Sequence, residues 1–298
     1  MKKHLIISMV FVLCLCMLCG CGGDSVRPNI AEPGSDADAE VSLPDGVEIS
    51  TAEDCTYIYE LSGFTEEEIT EQIENCLGLR LSDAERTDAE SITTYSTDEY
   101  SVWVYNETGY WSYDVKEGLM RALSSNVENP ISDSEAMEKA ERFIDEHELW
   151  MGDFSYRVVD QYGIKGNGEN GIFMKSVFLY PKIGGVEVLG TFRISIDMDL
   201  EGNIISLYCM VRPIAGKTPA ELMDRQGIQS RLENKDYSAS FSQNLISTEI
   251  SSCDCVLYAD GAAHDGKTYL YPVYVLRGEG VTADGENELF DIIMDAQK

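Results

Sequence analysis

Residues 260–274 read DGAAHDGKTYLYPVY, and Gly261, Gly266, Lys267 and Thr268 fall on the spacing Gly-x-x-x-x-Gly-Lys-Ser/Thr. That pattern cradles nucleotide phosphates when the glycine loop follows a strand and opens a helix, whose free N–H groups hold the anion. Here Lys267 is followed by Thr-Tyr-Leu-Tyr-Pro-Val-Tyr-Val. These residues are β-branched and aromatic, and Pro272 stands where a helix interior would lie. Asp260-Gly261 and Asp265-Gly266 are turn dipeptides. The stretch is therefore expected to form the tip of a hairpin, with no nucleotide partner. Pro272 predicts that the strand after it is an edge strand or carries a bulge.

Other residues with chemical potential are weaker still. Asp197-x-Asp199-x-Glu201-Gly202 begins like a calcium loop. The twelfth position, where a bidentate Glu belongs, is Tyr208, and the flanks read as strands. The histidines are His4, His147 and His264. None is spaced as a zinc ligand, and neither H-E-x-x-H nor G-x-S-x-G occurs. No catalytic, metal-binding or cofactor-binding residue is assigned, and no cofactor is expected. A hydrolase assembled from residues distant in the chain, with carboxylates or His147 in a deep pocket, is the enzymatic alternative. The aromatic runs 102–105, 110–113 and 269–274 suit either a core or a face that receives a partner, with Trp103 and Trp111 the residues to test.

The first four cysteines, Cys14, Cys16, Cys19 and Cys21, belong to the start of the chain, MKKHLIISMVFVLCLCMLCGC. Lys2 and Lys3 precede an apolar run over 5–18 that is too short to span a bilayer and suits a secretory signal over 1–20. Leu18-Cys19-Gly20-Cys21 resembles a bacterial lipobox, with Cys19 in place of the usual Ala or Ser. Cleavage before Cys21 would leave it to carry the lipid anchor. The expected location is the extracytoplasmic face of the cell membrane, held by two acyl chains. Five cysteines remain: Cys55, Cys76, Cys209, Cys253 and Cys255. Disulfides are possible outside the cytosol. Cys55 with Cys76 is one candidate pair, buried free thiols are the alternative, and the odd count leaves at least one thiol over.

The chain has 53 Asp+Glu against 22 Lys+Arg, a formal net charge of −31. That excludes the cationic footprint nucleic-acid binding needs. It also removes charge as a means of docking on anionic lipid. Such a surface solvates the protein or attracts a basic partner. Residues 22–50 are rich in Gly, Pro, Ser, Asp and Ala without hydrophobic period, and are expected to be a disordered tether spanning roughly 30 Å.

The body after it is expected to be α+β. Thr65-Glu-Glu-Glu68 and Ser132-Asp-Ser-Glu135 are capping boxes opening helices to about Leu77 and Glu148. Thr218-Pro-Ala-Glu221 is a third, with Pro219 at the first helical position and helix to about Leu232. Strands are expected over 92–105 and 110–115, then 156–164, 172–180, 186–197 and 204–211, and finally 245–251, 253–258, 268–276 and 288–294. A helix followed by strands thus occurs three times, and each sheet is expected to be antiparallel with a helix on one face. The units are 51–130, 131–217 and 218–298.

Particular residues carry a family resemblance over roughly 131–297. Ser134-Glu-Ala-Met-Glu-Lys-Ala-Glu-Arg-Phe143 resembles the helix of PepSY-type modules. Ile183-Gly-Gly-Val-Glu-Val-Leu-Gly190, Ile194-Ser-Ile-Asp197 and Glu201-Gly-Asn-Ile-Ile-Ser206 resemble their hairpins. Leu270-Tyr-Pro-Val-Tyr274, Arg277-Gly-Glu279 and 291–296 are similar to the ending of YycH/YycI-type regulatory proteins. The resemblance implies tandem helix-plus-antiparallel-sheet units in a non-enzymatic envelope protein that binds a protein partner: a sensor kinase, a peptidase or a wall enzyme. The Yyc relatives use a spanning helix where this chain has its lipobox. The expected function is a membrane-anchored, protein-binding regulatory or accessory lipoprotein. The alternative is a surface lipoprotein that binds a cell-wall component or a cation.

Overall fold

The computed structural model describes residues 27–30, 40–125, 127–165, 168–240, 245–264 and 266–298. The signal segment and Cys21 lie outside the described residues. In chain order come β1 (Ile49–Thr51), β2 (Tyr57–Leu61), α1 (Glu66–Leu77), β3 (Glu85–Asp88), β4 (Ile92–Ser96), β5 (Tyr100–Tyr105), β6 (Trp111–Val115), α2 (Gly118–Ser124) and α3 (Asp133–Glu146). Next are β7 (Phe154–Ile164), β8 (Asn170–Ile183), β9 (Val186–Gly190), β10 (Ile194–Asp199), β11 (Ile204–Cys209) and β12 (Ile214–Pro219). The chain closes with α4 (Arg225–Glu233), β13 (Ser238–Ala239), β14 (Leu245–Ala259), β15 (Tyr269–Thr282) and β16 (Asn287–Asp295). The fold is mixed α+β, dominated by one sixteen-stranded sheet, with four helices among the described residues.

The sheet runs β12-β2-β15-β14-β9-β8-β10-β11-β6-β5-β4-β3, with β7 beside β8, β16 beside β15 and β1 beside β14. Strands from all three expected stretches therefore share one sheet. β2, from the first stretch, pairs with β15 from the last (Leu270 opposite Tyr59). The sheet is not antiparallel throughout, as expected from the sequence. β14 takes two parallel neighbours, β1 (Ile49 opposite Cys253) and β9 (Leu257 opposite Val188). Neither neighbour is joined to β14 by a hairpin, and only hairpins force antiparallel pairing.

Two helices start where the capping boxes place them. Thr65 and Ser132 accept from the N–H of Glu68 and Glu135, whose carboxylates reach back to the cap N–H groups. α1 buries Ile69, Ile73 and Cys76, and α3 buries Ala136, Ala140 and Ile144. The third box is a correction. Thr218 and Pro219 lie in β12, opposite Ile58 and Tyr57, and α4 begins later, capped by Asp224 accepting from the Gly227 N–H at 3.0 Å. Pairing with β2 outweighs the local helix signal, and Pro219, ending an edge strand, gives up no ladder bond.

Four further expectations change. The run 92–105 folds as a hairpin, because Thr97 Oγ1 accepts from the N–H groups of Glu99 and Tyr100 and turns the chain. The run 186–197 breaks after Gly190, whose φ is +85° and where a Cβ would stand 2.1 Å from the Ala259 carbonyl oxygen. The tether is not unstructured through Ser50. Val41 and Leu43 are buried, the Leu43 N–H donates to Gln229 Oε1 (3.1 Å), and Arg225 Nη1 donates to the Pro44 carbonyl (2.9 Å). Val41, Leu43 and Val47 supply the apolar contacts that the composition of 22–50 as a whole conceals.

Pro272 is not on an edge. β15 lies between β14 (Leu257 opposite Pro272) and, on its other side, β2 and then β16. Pro272 sits where β2 gives way to β16, and its carbonyl accepts from the Ala296 N–H at 3.1 Å. A strand residue's N and C=O point the same way, so the missing N–H faces this seam and costs no regular ladder bond.

Candidate functional site

The glycine motif forms a hairpin tip. His264 and Lys267 exchange backbone hydrogen bonds of 2.7 and 3.0 Å. The Leu61 N–H donates to the Thr268 carbonyl, and β15 follows. No helix start is there to aim N–H groups at phosphate. Lys267 Nζ instead pairs with Glu60 at 2.8 Å. In the calcium-like segment the two carboxylates part. Asp199 accepts from the N–H groups of Glu201 and Asn203 (3.0 and 2.8 Å) and shapes the turn. Asp197 stands in a cross-strand row between Ser176 and Ser206, which in turn faces Asp114. Burial raises the pKa of both Asp197 and Asp114 above the ordinary aspartate value, against the pull of neighbouring serine hydroxyls. Among the described residues no group of three His, Cys, Asp or Glu side chains is placed to hold a metal ion.

His147 is the C-terminal cap of α3, its ring 4.6 Å from that of Phe143. His264 Nε2 lies 3.0 Å from Asp260 Oδ2, and Asp260 also accepts from the N–H groups of Asn29 and Ala262. The pair locks the hairpin base to the N-terminal segment. All five described cysteines are buried free thiols. Cys55 Sγ donates to the Cys255 carbonyl at 2.9 Å, which places it beside Cys255 and not, as one sequence reading had it, beside Cys76. Burial and a nearby Cys209 push the Cys76 thiol up to about 12.

The aromatic runs are mostly interior, as the core reading of them expects, with Trp103, Tyr105, Tyr113 and Tyr269 half-buried. Trp111 is 1% exposed and donates to Gln72 Oε1, and Tyr271 and Tyr274 are buried. A long exposed edge is β7, which the aromatic pattern did not single out. Among the described residues β7 pairs only with β8. The Asp153 carbonyl accepts from Lys182, and Phe154 stands opposite Pro181, which has no N–H to give. Odd-numbered residues thus face β8, and the N–H and C=O of Phe154, Tyr156, Val158 and Asp160 point outward. Tyr162 and Ile164 continue this strand at 64% and 73% exposure. Among the other edges, β3 reads Glu-Arg-Thr-Asp and β12 carries Gly216, Lys217 and Pro219, while β16 is covered beyond β15 only by β13, at Ile292 and Ile293.

A cavity of about 710 Å³ opens between α1, the β4–β5 hairpin, the segment after β2 and the glycine-motif hairpin. Its charged walls are mostly self-paired. Arg86 bonds Glu66 and, at 2.8 Å, Asp88, and Lys267 holds Glu60. Arg212 differs. It is 4% exposed, its Nη2 donates to the Ser62 carbonyl, and its guanidinium carbon lies 4.4 Å over the Phe64 ring. Its Nε is buried with no hydrogen-bond partner, and among the described residues no carboxylate forms an ion pair with it. Burial lowers its pKa, opposed by the fields of Tyr110 and Glu68. Gly109, at φ +65°, makes the room: a Cβ there would stand 2.7 Å from Nη1.

No protein family model matches the chain. No curated protein matches it either. Two solved structures are similar in outline. One is an uncharacterized protein from Eubacterium rectale, 13% identical, with a TM-score of 0.40, covering 86% of this chain and 90% of that one. The other is the Bacillus megaterium YpeB C-terminal domain, 13% identical, with a TM-score of 0.34, covering 79% of this chain and 94% of that one. Both likenesses are distant. The features described above were not visible as motifs. Arg212 carries one sequence signal, a lone cation inside Met210-Val-Arg-Pro213. The free edge of β7 depends on which strands pair, which no local pattern states.

Proposed function

We propose that the protein is an extracytoplasmic lipoprotein, anchored through Cys21, that works as a non-catalytic binding module for an envelope protein. The observation that carries the reading is the long edge of β7. Its outward N–H and C=O groups and exposed Tyr156, Tyr162 and Ile164 suit an extended segment of a partner, which would add a strand. The leader and the Leu18–Cys21 sequence support the anchor, and among the described residues no helix is long and apolar enough to cross a membrane. Within this reading, α1 with its strands and α3 with β7–β11 are successive PepSY-like units, each begun by a capping box. The division at 130 and 217 follows the same reading. A second reading, a ligand-binding surface lipoprotein, draws support from the cavity at Arg212.

Two experiments in cells test it. A photoreactive residue at position 162 should give a discrete protein adduct that one at position 214 in β12 does not. Tyr156→Pro, which removes an outward N–H from an exposed edge position, should abolish the adduct with the fold intact. Equal adducts from both positions, or none from 162, would contradict strand addition. Cys21→Ala should move the protein out of the membrane fraction, and its retention there would refute the lipid anchor.

A further inference from the structure

The cavity at Arg212 makes a demand independent of β7. An arginine this buried normally has a carboxylate against it, because an isolated charge in low dielectric is costly. Here the fixed partners are one carbonyl and one aromatic face. The other cations of the wall, Arg86 and Lys267, already have carboxylates. Among the described residues Arg212 is thus the wall cation with no carboxylate against it, and because the wall also carries Glu60, Glu66, Asp88 and Glu107, a monoanion suits the site better than a phosphate dianion. A guanidinium fork matches a carboxylate. Beside it the lining is apolar at Phe64, Ile69, Tyr95 and Val104. The volume falls in the range of small-ligand sites.

We infer that this cavity binds a monocarboxylate carried on an apolar body, with the carboxylate on Arg212 and the body against Phe64, Ile69, Tyr95 and Val104. Gly109 is the residue that keeps the guanidinium reachable. The chemistry is shared by a free apolar acid and by the C-terminus of a peptide ending in an apolar residue.

Titration calorimetry on the whole folded protein tests this with three probes: N-acetyl-phenylalanine, its primary amide, and acetyl-Ala-Ala-Phe. The acid should bind saturably and at least about tenfold more tightly than the amide. Tighter binding of the tripeptide would mark a chain end as the ligand, and equal binding a free acid; both keep the site. Arg212→Gln should abolish the preference for acid over amide, with the melting temperature measured alongside. If that variant does not fold, Phe64→Leu serves: it should weaken the acid while keeping the preference. Equal binding of acid and amide by the native protein, or no saturable binding of either up to roughly 10 mM, would overturn the inference. Unchanged acid binding by folded Arg212→Gln would do the same.

Discussion

At the residue scale, the molecule keeps several polar groups where water is scarce, and these respond to pH in a definite direction. Asp197 and Asp114 have folded-state pKa values raised by burial. The folded protein therefore binds protons that the unfolded chain has released. The stability from this preference is complete below the ordinary aspartate value of about 3.9 and is lost as pH rises through the folded value. Asp197→Asn, which cannot ionise, should raise stability at pH 7 by on the order of 1 kcal/mol. The gain should shrink towards pH 4, as denaturant unfolding at the two pH values would show. A loss at pH 7 would mean that the carboxylate makes a hydrogen bond the amide cannot. The sequence displayed Asp197 as part of a calcium-like string, because spacing along a chain says nothing about which carboxylate a turn will use. Asp199 serves the turn and Asp197 the sheet.

At the element scale, local chemistry was legible wherever it was self-contained. The boxes at Thr65 and Ser132 start α1 and α3 because cap and carboxylate satisfy each other without outside help. The box at Thr218 failed because β2 offered that segment a ladder. Pro272 looked like an edge residue because the seam between β2 and β16, which accommodates its missing N–H, is made by segments remote in sequence. Gly190 belongs to the same class: its neighbour is the backbone of β14, not of its own hairpin. Gly190→Ala should destabilise the fold by about 1–3 kcal/mol from backbone strain alone, and by more through the clash with Ala259. Gly46→Ala, where a Cβ meets nothing within 4 Å, is the matched control and should stay within about 0.5 kcal/mol. Similar melting temperatures for the two variants would refute the close approach of β9 to β14.

At the scale of the whole molecule, net charge was readable from composition, whereas the surfaces proposed for binding were not. An excess of acids over bases describes the entire surface and cannot locate one buried Arg212. Aromatic density suited either a core or a partner face, and the structure divides the rings: Tyr110, Trp111, Tyr271 and Tyr274 are buried, whereas Trp103, Tyr105, Tyr113 and Tyr269 are half-buried. The surface proposed for a partner is set by topology: among the described residues β7 has one neighbour, and its outward amides are those of Phe154, Tyr156, Val158 and Asp160. Residue-resolved amide exchange of these groups, with and without the protein captured from position 162, is the most direct test. Tyr156, Val158 and Asp160 should exchange rapidly in the free protein and at least about tenfold more slowly in the complex, while the amides facing β8 change little. A complex that forms with these amides still exchanging at the free rate would contradict strand addition at β7.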